Sequence, residues 1–172
     1  GKSSILDFIR QTNVVSQEPG RITQKISSTT LPISKIKKIS GDLIKNLKVG
    51  ITIPGILFID TPGHAAFTNL RKRGGNLADI AILVIDIKEG IMPQTLESID
   101  ILKSYKTPFV IALNKIDNLQ AWRENKSLPL IKNIQSQSET TLKEIETKLY
   151  EVVGKISELS LNSERFDRVE DY

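Results

Sequence analysis

The stretch Ile56-Leu57-Phe58-Ile59-Asp60-Thr61-Pro62-Gly63-His64-Ala65-Ala66-Phe67 decides how this chain is read. Its four leading apolar residues describe a buried strand, and the run stops at a carboxylate, a turn and a histidine. That order puts chemistry at the carboxyl end of a strand, where open α/β sheets bind ligands. Asp60 there is placed to reach a magnesium ion directly or through water. The Thr61-Pro62-Gly63 turn leaves a backbone N–H, with no side chain above it, to meet an anion. Asp60 is therefore a metal candidate and Gly63 a phosphate candidate. Alone, Asp60-Thr61-Pro62-Gly63 is equally an ordinary turn, because Asp, Pro and Gly each favour turns for their own reasons.

Two further stretches change the balance. Gly1-Lys2-Ser3-Ser4 opens the chain just ahead of an apolar-periodic segment. Gly-Lys-Ser at a helix start is the second half of a phosphate-binding loop: the lysine neutralises β- and γ-phosphate oxygens, the hydroxyl ligates magnesium, and the helix N-terminus adds partial positive charge. Asn114-Lys115-Ile116-Asp117 follows the apolar run Phe109-Val110-Ile111-Ala112-Leu113. A carboxylate in such a turn accepts from both the ring N–H and the exocyclic amine of guanine, whereas adenine offers a mismatched edge. Three such stretches in this order are far more specific than any one of them.

Gly1-Lys2-Ser3-Ser4, Asp60-Thr61-Pro62-Gly63-His64 and Asn114-Lys115-Ile116-Asp117 resemble the first, third and fourth signature motifs of the translational GTPases. The flanks narrow the likeness. Gly20-Arg21-Ile22-Thr23-Gln24, the segment 65–74 and Met92-Pro93-Gln94-Thr95-Leu96-Glu97-Ser98 resemble bacterial initiation factor two and its archaeal and eukaryotic counterpart, initiation factor five B. Trp122 and the long charged helix after it favour the archaeal or eukaryotic branch. The likeness covers nearly the whole chain. It implies an α/β fold of the P-loop NTPase kind, a mostly parallel sheet with helices on both faces and one antiparallel edge strand.

With 172 residues, 39% of them hydrophobic, the chain has room for one ordinary globular core. A net charge of +4 suits a ribonucleoprotein partner without demanding one. The absence of cysteine excludes disulfides and thiolate zinc sites, and one histidine cannot build a multi-histidine site, so any metal must be oxygen-bound. The longest apolar runs, such as 80–87, fall well short of the roughly 20 residues a membrane-spanning helix needs. No charged and apolar leader stands at the front. The expected location is the cytoplasm. The chain starts inside a phosphate loop and stops before the Ser-Ala turn that closes the guanine pocket in the resembled family. The expected organisation is thus a single GTP-binding domain over 1–172, incomplete at both ends.

Taken in order, residues 2–13 carry apolar side chains at 5, 6, 8 and 9 and predict a helix behind the phosphate loop. Pro19-Gly20 signals a loop, with Thr23 just beyond it. Residues 25–35 are β-branched and roughly alternating, predicting an edge strand with Pro32 where a donor can be spared. The basic stretch 35–48 is expected to be a solvated hairpin or loop bending at Gly41. A strand over 51–60, broken by Pro54-Gly55, precedes a helix over 65–77 with Arg71, Lys72 and Arg73 on its polar face. Residues 79–87 predict an apolar parallel strand, and 91–105 a helix with Leu96, Ile99 and Leu102 facing the sheet. The strand over 109–113 carries the guanine motif at its end. A loop over 119–129 holds Trp122, and Leu142, Ile145, Leu149, Val152, Ile156 and Leu159 step along one long helix that packs on the sheet.

The resemblance implies GTP and GDP as ligands with Mg²⁺. Gly1, Lys2, Ser3 and Ser4 would hold phosphate, together with Thr23 and Gly63, Asp60 would bind the nucleotide through its metal, and Asn114, Lys115 and Asp117 would read the base. Ser3, Thr23 and Asp60 would hold the metal. A threonine at 23 can place its hydroxyl on magnesium and its N–H on the γ-phosphate; the bland alternative is a surface-loop threonine. In related GTPases the residue at His64 positions the attacking water, and hydrolysis is mainly positioning plus charge stabilisation. The family shows two glycines where this chain has Gly20-Arg21, and arginine removes backbone freedom there. The implied activity is GTP hydrolysis stimulated by the GTPase-activating region of the large ribosomal subunit, serving subunit joining. Initiator tRNA would be contacted only through domains lying elsewhere, and no membrane is involved. Two alternatives stay open: a non-catalytic piece of such a domain, and the domain of another translational GTPase such as an elongation factor. Gln24 and the 92–98 stretch weigh against the latter.

Overall fold

A computed structural model of the chain describes residues 1–10, 27–41, 44, 50–61 and 78–169. They belong to two compact units, Gly1–Leu77 and Ala78–Tyr172.

In the first unit, α1 (Lys2–Arg10) and β1 (Ser27–Pro32) are followed by α2 (Ile33–Ser40) and β2 (Gly55–Asp60). The antiparallel strand expected from the sequence is present: β1 pairs with β2, Ser27 opposite Asp60 and Pro32 opposite Gly55. The strand expected over 51–60 starts only at Gly55, because the preceding Pro54 has no ladder donor. Gly55 is required by close approach, since a Cβ there would overlap the carbonyl of Leu31. Helix α1 packs beside β2 and buries Leu6 and Asp7.

Three sequence expectations fail in this unit. The strand read as buried over 56–59 leaves Ile56 and Leu57 exposed, Leu57 at 57%. Phe8, expected on the apolar face of α1, is 77% exposed. At 3.6 residues per turn, positions 6 and 8 lie about 200° apart, so one face cannot hold both. The basic stretch expected as a hairpin begins instead as α2. Ile33, Ile36 and Ile39 recur at helical steps with lysines between them, and Gly41 ends the helix at φ 51°, its N–H donating to Lys37 O at 3.1 Å. Lys35 of this helix donates from Nζ to Arg10 O at 2.6 Å, satisfying a carbonyl at the end of α1.

The second unit runs β3 (Ala81–Asp86), α3 (Pro93–Ser104), β4 (Phe109–Asn114), a 3₁₀ turn (Ile116–Asn118), α4 (Leu130–Gln135) and α5 (Glu139–Glu158). β3 and β4 are parallel and in step from Ala81–Phe109 to Asp86–Asn114. The helix α3 between them is the crossover that a parallel pair needs. Its first turn is set by Pro93 at N1 and by the Thr95 hydroxyl, which accepts from Met92 N–H at 3.4 Å. Ser138 caps α5, accepting from Thr141 N–H at 3.3 Å. At the other end of α5, Lys103 donates to Leu159 O at 2.9 Å.

One face of the β3–β4 pair forms the core. Leu83 and Ile85 meet Ile91 and Ile99 from the α3 side and Val152 and Ile156 from α5, with Phe109, Ile111 and Leu113 packed against them. Ile99, Leu102, Ile145, Val152 and Ile156 are buried as the helical periodicity predicts, but Leu96 is 38% exposed. Steps of three fall about 60° short of a full turn, so Leu96 and Leu102 diverge to either side of Ile99. A second cluster joins Ile87, Leu119 and Ile145 to Trp122, Ile116 and Ile134. The stretch 119–129 is held from outside by amides. Gln137 accepts from Arg123 N–H at 2.8 Å and donates to Arg123 O at 2.7 Å, while Asn133 does the same with Asn125 at 3.3 and 3.1 Å. Among the described residues no helix is long and apolar enough to cross a membrane.

Candidate nucleotide site

In the first unit, Gly1 O accepts from Ile5 N–H at 3.1 Å and starts the helical ladder, so Lys2, Ser3 and Ser4 occupy the first turn of α1. That turn carries no acidic residue, and a first turn leaves N–H groups without helical partners. An anion there meets Lys2 and the partial positive charge of a helix start. Lys2 and Ser4 are exposed and Ser3 is half-buried. Asp60 is the last residue of β2, a strand that packs beside α1, and is 5% exposed. Ser3 and Asp60 are hard oxygen donors of the kind Mg²⁺ takes, and magnesium sites use only one or two carboxylates. Thr23, Gly63 and His64 lie outside the described residues.

In the second unit, Asn114 ends β4 and Lys115 takes the left-handed conformation, φ 64° and ψ 36°. The chain then closes a 3₁₀ turn, with Asn118 N–H donating to Lys115 O at 3.0 Å. Ile116 and Leu119 pin this turn into the second core cluster, which leaves Asp117 exposed. The three base-reading candidates are thus gathered at one strand end.

Asp86, which the sequence motifs do not single out, meets the base-reading candidate Lys115. Its carboxylate lies 2.6 Å from Lys115 Nζ and also accepts from Lys88 N–H at 2.9 Å. Partial burial pushes the Asp86 carboxyl up, but the hydrogen bond from Lys115, the backbone N–H of Lys88 and the Lys115 charge outweigh it and hold the group below the usual aspartate value. The same hydrogen bond and charge raise Lys115 above the usual lysine value. The signal was available: Asp86 ends an apolar strand as Asp60 does.

A family model described as the elongation factor Tu GTP binding domain matches residues 1–167. The chain belongs to this family of GTP-binding domains. Within it, the chain is similar to archaeal proteins named probable translation initiation factor IF-2. It is 54% identical to that of Methanoculleus marisnigri over 172 residues, all of this chain and 28% of the relative. It is 53% identical to that of Pyrococcus abyssi over 170 residues, 99% of this chain and 17% of the relative. A solved structure, GDP-bound aIF5B from Aeropyrum pernix, matches with a TM-score of 0.81 and 47% identity over 99% of this chain and 29% of that chain. The chain spans less than a third of the length of these relatives. These relatives carry initiation-factor names, and the fold of the chain is that of the P-loop GTPases.

Proposed function

We propose that residues 1–172 act as one GTP-binding and GTP-hydrolysing domain of a cytoplasmic translation initiation factor. The observation that carries this reading is the end of β4. Asn114, a left-handed Lys115 and an exposed Asp117 are presented by a turn locked into the core, which suits a carboxylate meant for the guanine N–H and amine edge. Gly1, Lys2, Ser3 and Ser4 bind the β- and γ-phosphates at the first turn of α1, with Gly63 adding a backbone donor. Ser3, Thr23 and Asp60 would hold Mg²⁺, which would supply charge neutralisation to the phosphate oxygens.

In the reaction, the oxygen of one water attacks the γ-phosphorus as the bond to the bridging oxygen breaks, leaving GDP and inorganic phosphate. Lys2 stabilises the charge that moves onto the phosphate oxygens. His64 orients the water in line and need not be a strong base. The GTPase-activating region of the large ribosomal subunit stimulates this step by ordering His64. In the whole factor the GTP form favours subunit joining, and initiator tRNA is contacted by other domains.

A fluorescent GDP titration tests the reading. Saturable, magnesium-dependent binding, competed by GTP but not ATP, is the expected result. No saturable binding would make this chain a non-catalytic piece.

A further inference from the structure

Asp86 stands beside the base-reading turn without belonging to it. It shares the last rung of the β3–β4 ladder with Asn114, and Ile87 N–H, one residue on, donates to Asn114 O at 3.0 Å. The Asp86 side chain is itself fixed by Lys88 N–H, and its carbonyl accepts from Gly90 N–H at 2.8 Å. From this anchored position its carboxylate takes the Lys115 ammonium at 2.6 Å. Lys115 is the one residue of the turn in left-handed backbone, which a non-glycine residue keeps only when its surroundings hold it.

We propose that Asp86 is a positioning residue for guanine recognition: by holding Lys115 it fixes the turn that aims Asp117 at the base. The proposal rests on Asn114, Lys115 and Asp117 being the base-reading turn. A plain surface ion pair would instead contribute little to anything.

The test measures fluorescent GDP affinity and dissociation rate for the 172-residue chain and for Asp86→Asn, Asp86→Glu, Lys115→Met and the double variant Asp86→Asn/Lys115→Met. Asp86→Asn is expected to weaken GDP binding about tenfold, mostly through faster dissociation, and the double variant to be no weaker than the worse single one. Asp86→Glu, which keeps the charge, is expected to restore part of the loss. The melting temperature should move by less than about 2 °C, since the pair lies at the surface. GDP affinity of Asp86→Asn within about twofold of the parent, or losses that multiply in the double variant, would overturn the proposal. In that case a parent chain that still prefers GDP to ADP leaves guanine recognition standing. A parent without that preference overturns both.

Discussion

The ammonium of Lys115 lies 2.6 Å from the carboxylate of Asp86, joining the ends of two parallel strands whose last residues, Asp86 and Asn114, sit on one rung. Charge and backbone geometry meet at this point, because the cation belongs to the residue that turns the chain toward Asp117.

The pair has a definite pH signature. Asp86 is held below its usual value, so its contribution is whole above the unfolded aspartate pKa of about 3.9 and is lost as pH falls through the lower folded value. Lys115 is raised, so its contribution is whole below about 10.4 and is lost as pH rises beyond it. The small difference in melting temperature between the parent and Asp86→Asn should therefore be constant from about pH 5 to 9 and shrink in acid below about pH 4. Thermal unfolding across that range checks this, and a difference that grows in acid would contradict it.

Asp117→Asn tests how the base is read. An amide can accept one hydrogen bond from guanine but presents a donor where the exocyclic amine also donates. Guanine affinity should fall about 100-fold while xanthosine diphosphate, with a carbonyl at that position, gains. Competition titrations with the two diphosphates give the ratio. Unchanged selectivity would remove Asp117 from the base-binding role.

For His64→Ala the expected outcome separates binding from turnover. GTP affinity should hold, and ribosome-stimulated hydrolysis should fall at least about 100-fold, the usual scale for losing one group that positions or exchanges protons. A nucleotide titration gives the affinity, and phosphate release with and without ribosomes gives the turnover. Normal stimulated turnover in this variant would take His64 out of the mechanism.

The amide clamp on the segment after the guanine motif predicts a stability loss with no change of chemistry. Gln137→Ala leaves the N–H and carbonyl of Arg123 without their partner. The cost should be about 1–3 kcal/mol, seen as a lower urea midpoint with unchanged slope. Trp122, the single tryptophan, packs in the adjacent cluster and reports the transition.

What could be read from the sequence was whatever is encoded locally. The apolar runs ending at Asp60 and Asn114, the proline and glycine before β2, and the stepping of Ile145, Val152 and Ile156 each announce an element by its own residues. The α2 helix was missed because its β-branched isoleucines and clustered lysines match a solvated loop as well as an amphipathic turn. Phe8 and Leu96 were misplaced because apolar identity was allowed to stand in for angular position. Asp86 escaped for a different reason. Its partner is 29 residues away in sequence, and only the parallel register of β3 and β4 brings the two together.

One nucleotide is expected to touch residues from both ends of the sequence pattern. A crystal structure of the chain with a non-hydrolysable GTP analogue and Mg²⁺ decides it. The expected result has Lys2 on the β- and γ-phosphates, Ser3 and Asp60 about the metal, and Asp117 on the guanine edge of that same molecule. A nucleotide bound through the Lys2 turn with Asn114 and Asp117 out of its reach would contradict it.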